Sequence, residues 1–242
     1  HALIVSLSRV LMPYFSDRQA REGEASLAAP LLRSWRVGLM FSLTVYTLAV
    51  VGGRPFVRLW LGEALARQTG DLLLIFLGLY ALQSVTVVPH FYLMGRGLPG
   101  RVARVVLLAG AAALGSIALL APRLGAEGVA VGALAFPLVC LALGRMALKI
   151  TSGREEEAPL LAGLWLPLAL HAAAAGLGGV VAWWLGGLGA PPLWCLLPAL
   201  AAAGTVVAAG YLALRSSANP YFASAWAVAR AAVGTERRGS AR

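Results

Sequence analysis

Three polar side chains, Gln83, Thr86 and His90, stand in a run that has no charge from Leu72 to Gly95. Spaced i, i+3 and i+7, they fall on one face of a helix. Tyr80 lies beside that face, and Pro89, which has no backbone donor, directly precedes His90. A helix rises about 1.5 Å per residue, so these 24 residues reach across a hydrocarbon core about 30 Å thick, with Gln83 roughly halfway. Polar groups at that depth turn toward other helices or a wet cavity. Two roles fit the stripe: hydrogen bonds between helices, or the lining of a substrate pathway. Arg9 is the other candidate. It sits inside the opening apolar run Ala2–Phe15, about 10 Å by helical rise from the nearest polar segment. Its guanidinium either snorkels to the headgroups or faces a cavity and holds an anionic group of a substrate.

The elements that must position these residues follow from composition. The chain has 242 residues, is 60% hydrophobic and 12% charged, and has a mean hydropathy of +0.79. Soluble domains have about twice that share of charge. Several uncharged runs near or above membrane length make this an all-α, polytopic transmembrane helical bundle. No stretch alternates apolar and polar residues as a membrane β-barrel requires. The net charge of +10 points to loop topology and not to nucleic acid, because the basic residues punctuate the apolar runs. Cys140 and Cys195 both fall inside apolar runs with no paired spacing, so they imply neither a disulfide nor a metal site.

Taken in order, Ala2–Phe15 is too short to span and has no basic region before it, which argues against a signal peptide. It reads as the end of a truncated span, and the chain as the C-terminal part of a longer transporter. Asp17–Arg36 is charged, then mildly amphipathic, and suits the interface plane. Complete spans are expected at Val37–Gly53, Leu72–Gly95, Val102–Ala121, Val129–Leu148, Pro159–Gly186 and Pro192–Leu214. Glu63–Gly70 reads as a polar connector, Pro122–Gly128 as a turn and Lys149–Ala158 as a charged loop. Gly110 and Gly115 are the expected points of close helix approach. Within its span, His171 reads as a hydrogen-bonded packing residue. Asn219–Val233 suits a short interfacial helix, and Gly234–Arg242 a basic unstructured tail. The expectation is six complete spans plus the truncated one. Residues 1–150 form a first bundle, 151–215 an added helix pair, and 216–242 the cytoplasmic end. Alternating the spans, and leaving out Arg9 and the distal tail, puts twelve basic residues on one side and four on the other. The richer side is then cytoplasmic, with the C-terminus on it.

The sequence contains no phosphate-cradling glycine loop, zinc-ligand spacing or catalytic triad, and no cofactor is implied. All ten acidic residues fall in expected loops or at span ends, where a membrane-embedded glycosyltransferase would want one beside its lipid substrate. The reading is a protein without enzymatic activity.

A series of short motifs adds a resemblance. A helix end SRVLMPYFS (Ser8–Ser16) precedes the charged segment; FVRLWLG (Phe56–Gly62) follows the next span. YLMGRG (Tyr92–Gly97) ends another, and LGAEGVA (Leu124–Ala130) follows the one after that. In this order they resemble the C-terminal half of bacterial lipid-linked oligosaccharide flippases, the polysaccharide-transport family of the multidrug/oligosaccharidyl-lipid/polysaccharide superfamily. The resemblance covers about residues 1–150, and beyond that only hydropathy agrees. It implies fourteen helices in two bundles around a cavity with alternating access, this chain holding the second bundle and two extra helices. It also implies an inner-membrane transporter of undecaprenyl-diphosphate-linked sugars for surface polysaccharide, lipopolysaccharide included, with cationic residues facing the diphosphate. Only Arg9 is placed for that here. Membrane lipids, a polysaccharide polymerase and glycosyltransferases are the implied partners. A cation-coupled multidrug exporter, a peptidoglycan-precursor flippase of the same superfamily and a non-transporting membrane scaffold are the alternative readings. The exporter would be expected to use intramembrane carboxylates, which these spans lack.

Overall fold

The computed structural model describes residues 1–152, 163–215 and 218–239, and among these every regular element is a helix. The elements are α1 (Ala2–Ser8), α2 (Leu11–Glu22), α3 (Ala28–Leu61), α4 (Glu63–Val85) and α5 (Val87–Gly95). They continue with α6 (Pro99–Ala133), α7 (Ala135–Ser152), α8 (Trp165–Gly187), α9 (Pro192–Ala213) and α10 (Pro220–Gly239). Five stretches are long and apolar enough to cross a membrane: Ala28–Leu61, Glu63–Gly95, Pro99–Thr151, Trp165–Gly187 and Pro192–Ala213.

The longest of these has 53 residues, about 80 Å if straight, far more than a bilayer needs. It is not straight. Gly125 has φ +58° and ψ −133°, a conformation that residues with a Cβ rarely adopt. A Cβ at Gly128 would run into the backbone of Leu120, and one at Gly132 would lie 2.7 Å from the amide nitrogen of Ile117. Residues 117 and 132 would be about 22 Å apart along a straight helix, so the chain reverses at Gly125 and its two arms pack side by side. The glycines that permit close approach are therefore Gly128 and Gly132. Gly110 and Gly115, expected in that role, have nothing within 4 Å of an added Cβ.

Helices also run further than the apolar runs do. Residues 28–36, expected in an interfacial segment, are the first turns of α3, and Glu63–Gly70, expected as a connector, opens α4. Backbone hydrogen bonding continues into the headgroup layer whatever the side chains are, and only Gly62, at φ +85°, turns the chain between the two helices. The charged loop expected at Lys149–Ala158 begins in α7, while Arg154, the three glutamates after it and the start of the span expected from Pro159 lie outside the described residues.

α3 is the hub and packs against α4, α8, α9 and α10. Toward its N-terminal end Leu31, Trp35, Leu39 and Met40 join Phe15, Tyr92, Leu93 and Leu143 in the main core. Toward its other end Val51 meets the small residues Ala174, Ala199 and Ala203 of α8 and α9. A Cβ at Gly178 would lie 2.7 Å from Val51 Cγ1, so this seam is close to backbone contact, as small residues allow in membranes. α10 docks on α3 through the buried Tyr221 and Phe222, and Arg36 lies over the Tyr221 ring at 5.9 Å. Burial pushes the Tyr221 hydroxyl up to about 12, Arg36 opposing the shift. The Asn219 amide donates to the Gly163 carbonyl at 2.8 Å and its oxygen accepts from the Tyr221 amide at 3.0 Å, which fixes the start of α10. That helix continues to Gly239, past Gly234 where an unstructured tail was expected; residues 240–242 lie outside the described ones.

Candidate functional site

The stripe of polar residues coincides with a break in the helix that bears it. α4 ends at Val85 and α5 begins at Val87, so one membrane-length stretch is interrupted at Thr86. The cause is Pro89, which has no N–H to give the Val85 carbonyl four residues back. That carbonyl accepts instead from the Trp35 indole Nε1 at 2.8 Å, a donor supplied by α3. The amide and hydroxyl of Thr86 both donate to the Gln83 carbonyl, at 3.0 and 2.8 Å, and close the end of α4. Thr86 is buried, Gln83 and His90 are half-buried, and the His90 ring meets Phe91 edge to face. Thr86 lies about 15 Å by helical rise from Arg96 at the end of α5, a depth near the middle of a bilayer.

Arg9 occupies a second break, of the same kind. Pro13 leaves the Arg9 carbonyl without its helical partner; the Met12 amide donates to it at 3.2 Å in a tighter turn, and α1 and α2 meet at an offset. The Arg9 side chain is exposed, and it makes no hydrogen bond or ion pair among the described residues. No polar contact joins it to Gln83, Thr86 or His90.

Two hydrogen-bond networks that the sequence did not disclose lie within the bundle, one next to the stripe and one on α3. Ser84, one residue along from Gln83, is buried and exchanges a hydrogen bond with the Tyr46 hydroxyl at 3.2 Å, while its own hydroxyl donates to the Tyr80 carbonyl. His1 stacks on Tyr80 with 5.6 Å between ring centroids. Ser84 is thus the side chain through which this part of α4 meets α3, four residues on from Tyr80, a spacing present in the sequence. Further along α3, Thr44 Oγ1 lies 3.2 Å from His171 Nε2 and 2.9 Å from the Tyr211 hydroxyl, and His171 Nδ1 is 2.7 Å from the Pro167 carbonyl. His171 is buried with both ring nitrogens engaged, which is what its reading as a packing residue expects. Nothing local in the sequence identifies Thr44 and Tyr211 as its partners.

Charge gathers at the two ends of α3. At the C-terminal end Arg54 pairs with Asp71 at 2.9 Å, and Glu63 takes both Arg58 and, at 3.5 Å, Arg67. These pairs are solvent-exposed, so water and salt screen them and they add little to stability. At the N-terminal end Arg96 donates to Glu24 from an otherwise buried guanidinium that also lies over the Tyr92 ring. At the same end of α3, residues of α1, α2, α3, α5 and α10 line an open groove of about 730 Å³ that includes Arg18 and Arg33. Among the described residues no cluster of three or more His, Cys, Asp or Glu is placed to hold a metal ion. The chemistry on offer is hydrogen bonding by hydroxyls, an amide and an imidazole inside the bundle, with arginines at its rim. No family model, no curated protein and no solved structure matches the chain.

Proposed function

We propose that this chain is the C-terminal lobe of a transporter that moves an undecaprenyl-diphosphate-linked oligosaccharide across a bacterial inner membrane for surface polysaccharide synthesis, without chemical change. In this reading the two arms around Gly125 are separate crossings, which makes six complete spans, and the arginine-rich end with the C-terminus is cytoplasmic. The observation behind it is the interruption at Thr86. Helices broken within the membrane are where transporters place binding sites. Here Gln83, Thr86 and His90 gather at the break, and Arg9 sits at a second one. The motif order supplies the class of cargo. A phosphate-bearing cargo suits arginine, and a neutral sugar chain suits amide, hydroxyl and imidazole groups. Deleting the gene should leave lipid-linked repeats on the cytoplasmic leaflet; normal surface polysaccharide in that strain, with no second flippase present, counts against the proposal.

The roles of the individual residues separate by substitution. If Arg9 holds a diphosphate, Arg9→Lys loses the forked donor geometry and transport falls at unchanged expression, with Arg9→Ala worse still. If it only snorkels, Arg9→Lys transports like the parent. Gln83→Leu in a packing role lowers stability by about 1 kcal/mol, the scale of interhelical hydrogen bonds in membranes. In a pathway role it reduces flux at unchanged thermal stability. Full transport by both Arg9 variants removes Arg9 from the site.

A further inference from the structure

The cavity of about 730 Å³ at the N-terminal end of α3 falls in the range of about 300–1,000 Å³ usual for small-molecule sites, and it has two chemically distinct halves. Its inner wall is Ile4, Leu7, Leu11, Val37, Phe41 and Val88, and Val228 of α10 forms part of another side. Its rim holds Arg18, Arg33, Tyr14 and Ser34. Arg33 and Phe41 are eight residues apart on α3, so the charged rim stands about 12 Å from the apolar interior along one helix. Leu7 is 58% exposed and Val10 69%, so the apolar wall is open and not filled by the protein itself. In a membrane such a wall takes a hydrocarbon chain, which can fill an irregular slot without leaving polar groups unpaired.

The rim also specifies a head. Arg18 gives one nitrogen to the Tyr14 hydroxyl at 3.2 Å and pairs with Glu22 at 2.7 Å, so its charge is balanced within α2. Arg33 is exposed, and no hydrogen bond or ion pair engages it among the described residues. Arg21, close by, is paired with Asp17. The rim therefore offers about one net positive charge beside two hydroxyls. A phosphodiester with one negative charge and a neutral polar group matches it; a diphosphate carries more charge than the rim neutralises, and a zwitterionic head brings its own cation to the arginines.

We infer that this groove seats an anionic phospholipid, its phosphate at Arg33 and Arg18 and one acyl chain along Val37 and Phe41, as a bound component of the bundle distinct from the cargo proposed above. The test is photocrosslinking from p-benzoylphenylalanine in place of Phe41, with the intact chain in vesicles of equal parts phosphatidylglycerol and phosphatidylcholine. Adducts are identified by mass. The phosphatidylglycerol adduct should exceed the phosphatidylcholine adduct about fivefold, the factor expected of one arginine beside an anionic lipid. Arg33→Gln should bring the two to parity at unchanged thermal stability, and Arg33→Lys should keep the preference. Equal adducts with Arg33 intact overturn the assignment, as does crosslinking only to a peptide of the protein. Undecaprenyl diphosphate, added at about one part in a hundred, displacing phosphatidylglycerol would also overturn it, by giving the groove to the cargo's lipid diphosphate. Loss of the phospholipid preference leaves the transport proposal standing, since that rests on the break at Thr86.

Discussion

Gly128→Ala and Gly132→Ala should each destabilise the protein by about 3 kcal/mol, the upper part of the range for over-packed interiors. In both cases the added methyl group meets backbone, not a side chain that can turn aside. At Gly128 it meets the carbonyl of Leu120, and at Gly132 it meets the amide nitrogen and Cα of Ile117, at 2.7 and 2.8 Å. The arms on either side of Gly125 would have to move apart, giving up close packing along the hairpin. Gly110→Ala and Gly115→Ala are the internal controls. Both stand in the same helix with open space around the new Cβ, so they should be neutral or stabilising by about 0.5–1 kcal/mol. Thermal unfolding of the four variants in one detergent decides the matter. Similar midpoints for all four would mean that the chain does not fold back at Gly125.

Phe15→Ala should cost about 3–5 kcal/mol, as expected for emptying a fully buried aromatic site. Phe15 is 0% exposed and meets the Tyr92 ring edge to face, at 5.0 Å between centroids and 87° between planes. It is the one buried residue of α2, which turns charged after it at Asp17, Arg18, Arg21 and Glu22, and Gly95 sits so close by that a Cβ there would lie 2.6 Å from the Met12 carbonyl. Without the ring, α2 loses its hold on α5. Trypsin should then cut at Arg18 and Arg21 at least several times faster, while Phe15→Leu, which refills most of the space, should cost only about 1.5 kcal/mol. A change below about 1 kcal/mol for Phe15→Ala would show that α2 is held by other contacts.

What could be read from the sequence was what hydropathy encodes. The uncharged runs near 37–53, 72–95 and 192–214 all lie within observed helices, because twenty or so apolar residues in lipid have few alternatives to helix. The ends of those helices were not legible. Ala28 and Leu61 lie well outside the apolar run of α3, in a zone where polar side chains and helical backbone coexist. The break at Thr86 was half legible. Pro89 is visible in the sequence, but Trp35, which accommodates the freed Val85 carbonyl from 50 positions upstream, is not. The glycines make the same point more sharply: Gly110 and Gly132 look alike in the sequence, and only the reversal at Gly125 brings one of them against another backbone. The spacing of Gln83, Thr86 and His90 places them on a single helical face. The polar contacts that tie α4 to α3 run instead through Ser84, the Val85 carbonyl, Asp71 and Glu63, and Gln83, Thr86 and His90 make no side-chain hydrogen bond to another helix among the described residues.

The most direct measurement is transbilayer movement in vesicles that hold the complete gene product and a fluorescent undecaprenyl-diphosphate-linked oligosaccharide. Placed on one leaflet, the lipid should become accessible to an impermeant quencher on the other only when the protein is present. Its chemical composition should not change, and the rate should fall with Arg9→Ala. A lipid that stays on its own leaflet in the presence of folded, correctly inserted protein, or one that is cleaved or extended, contradicts the proposal.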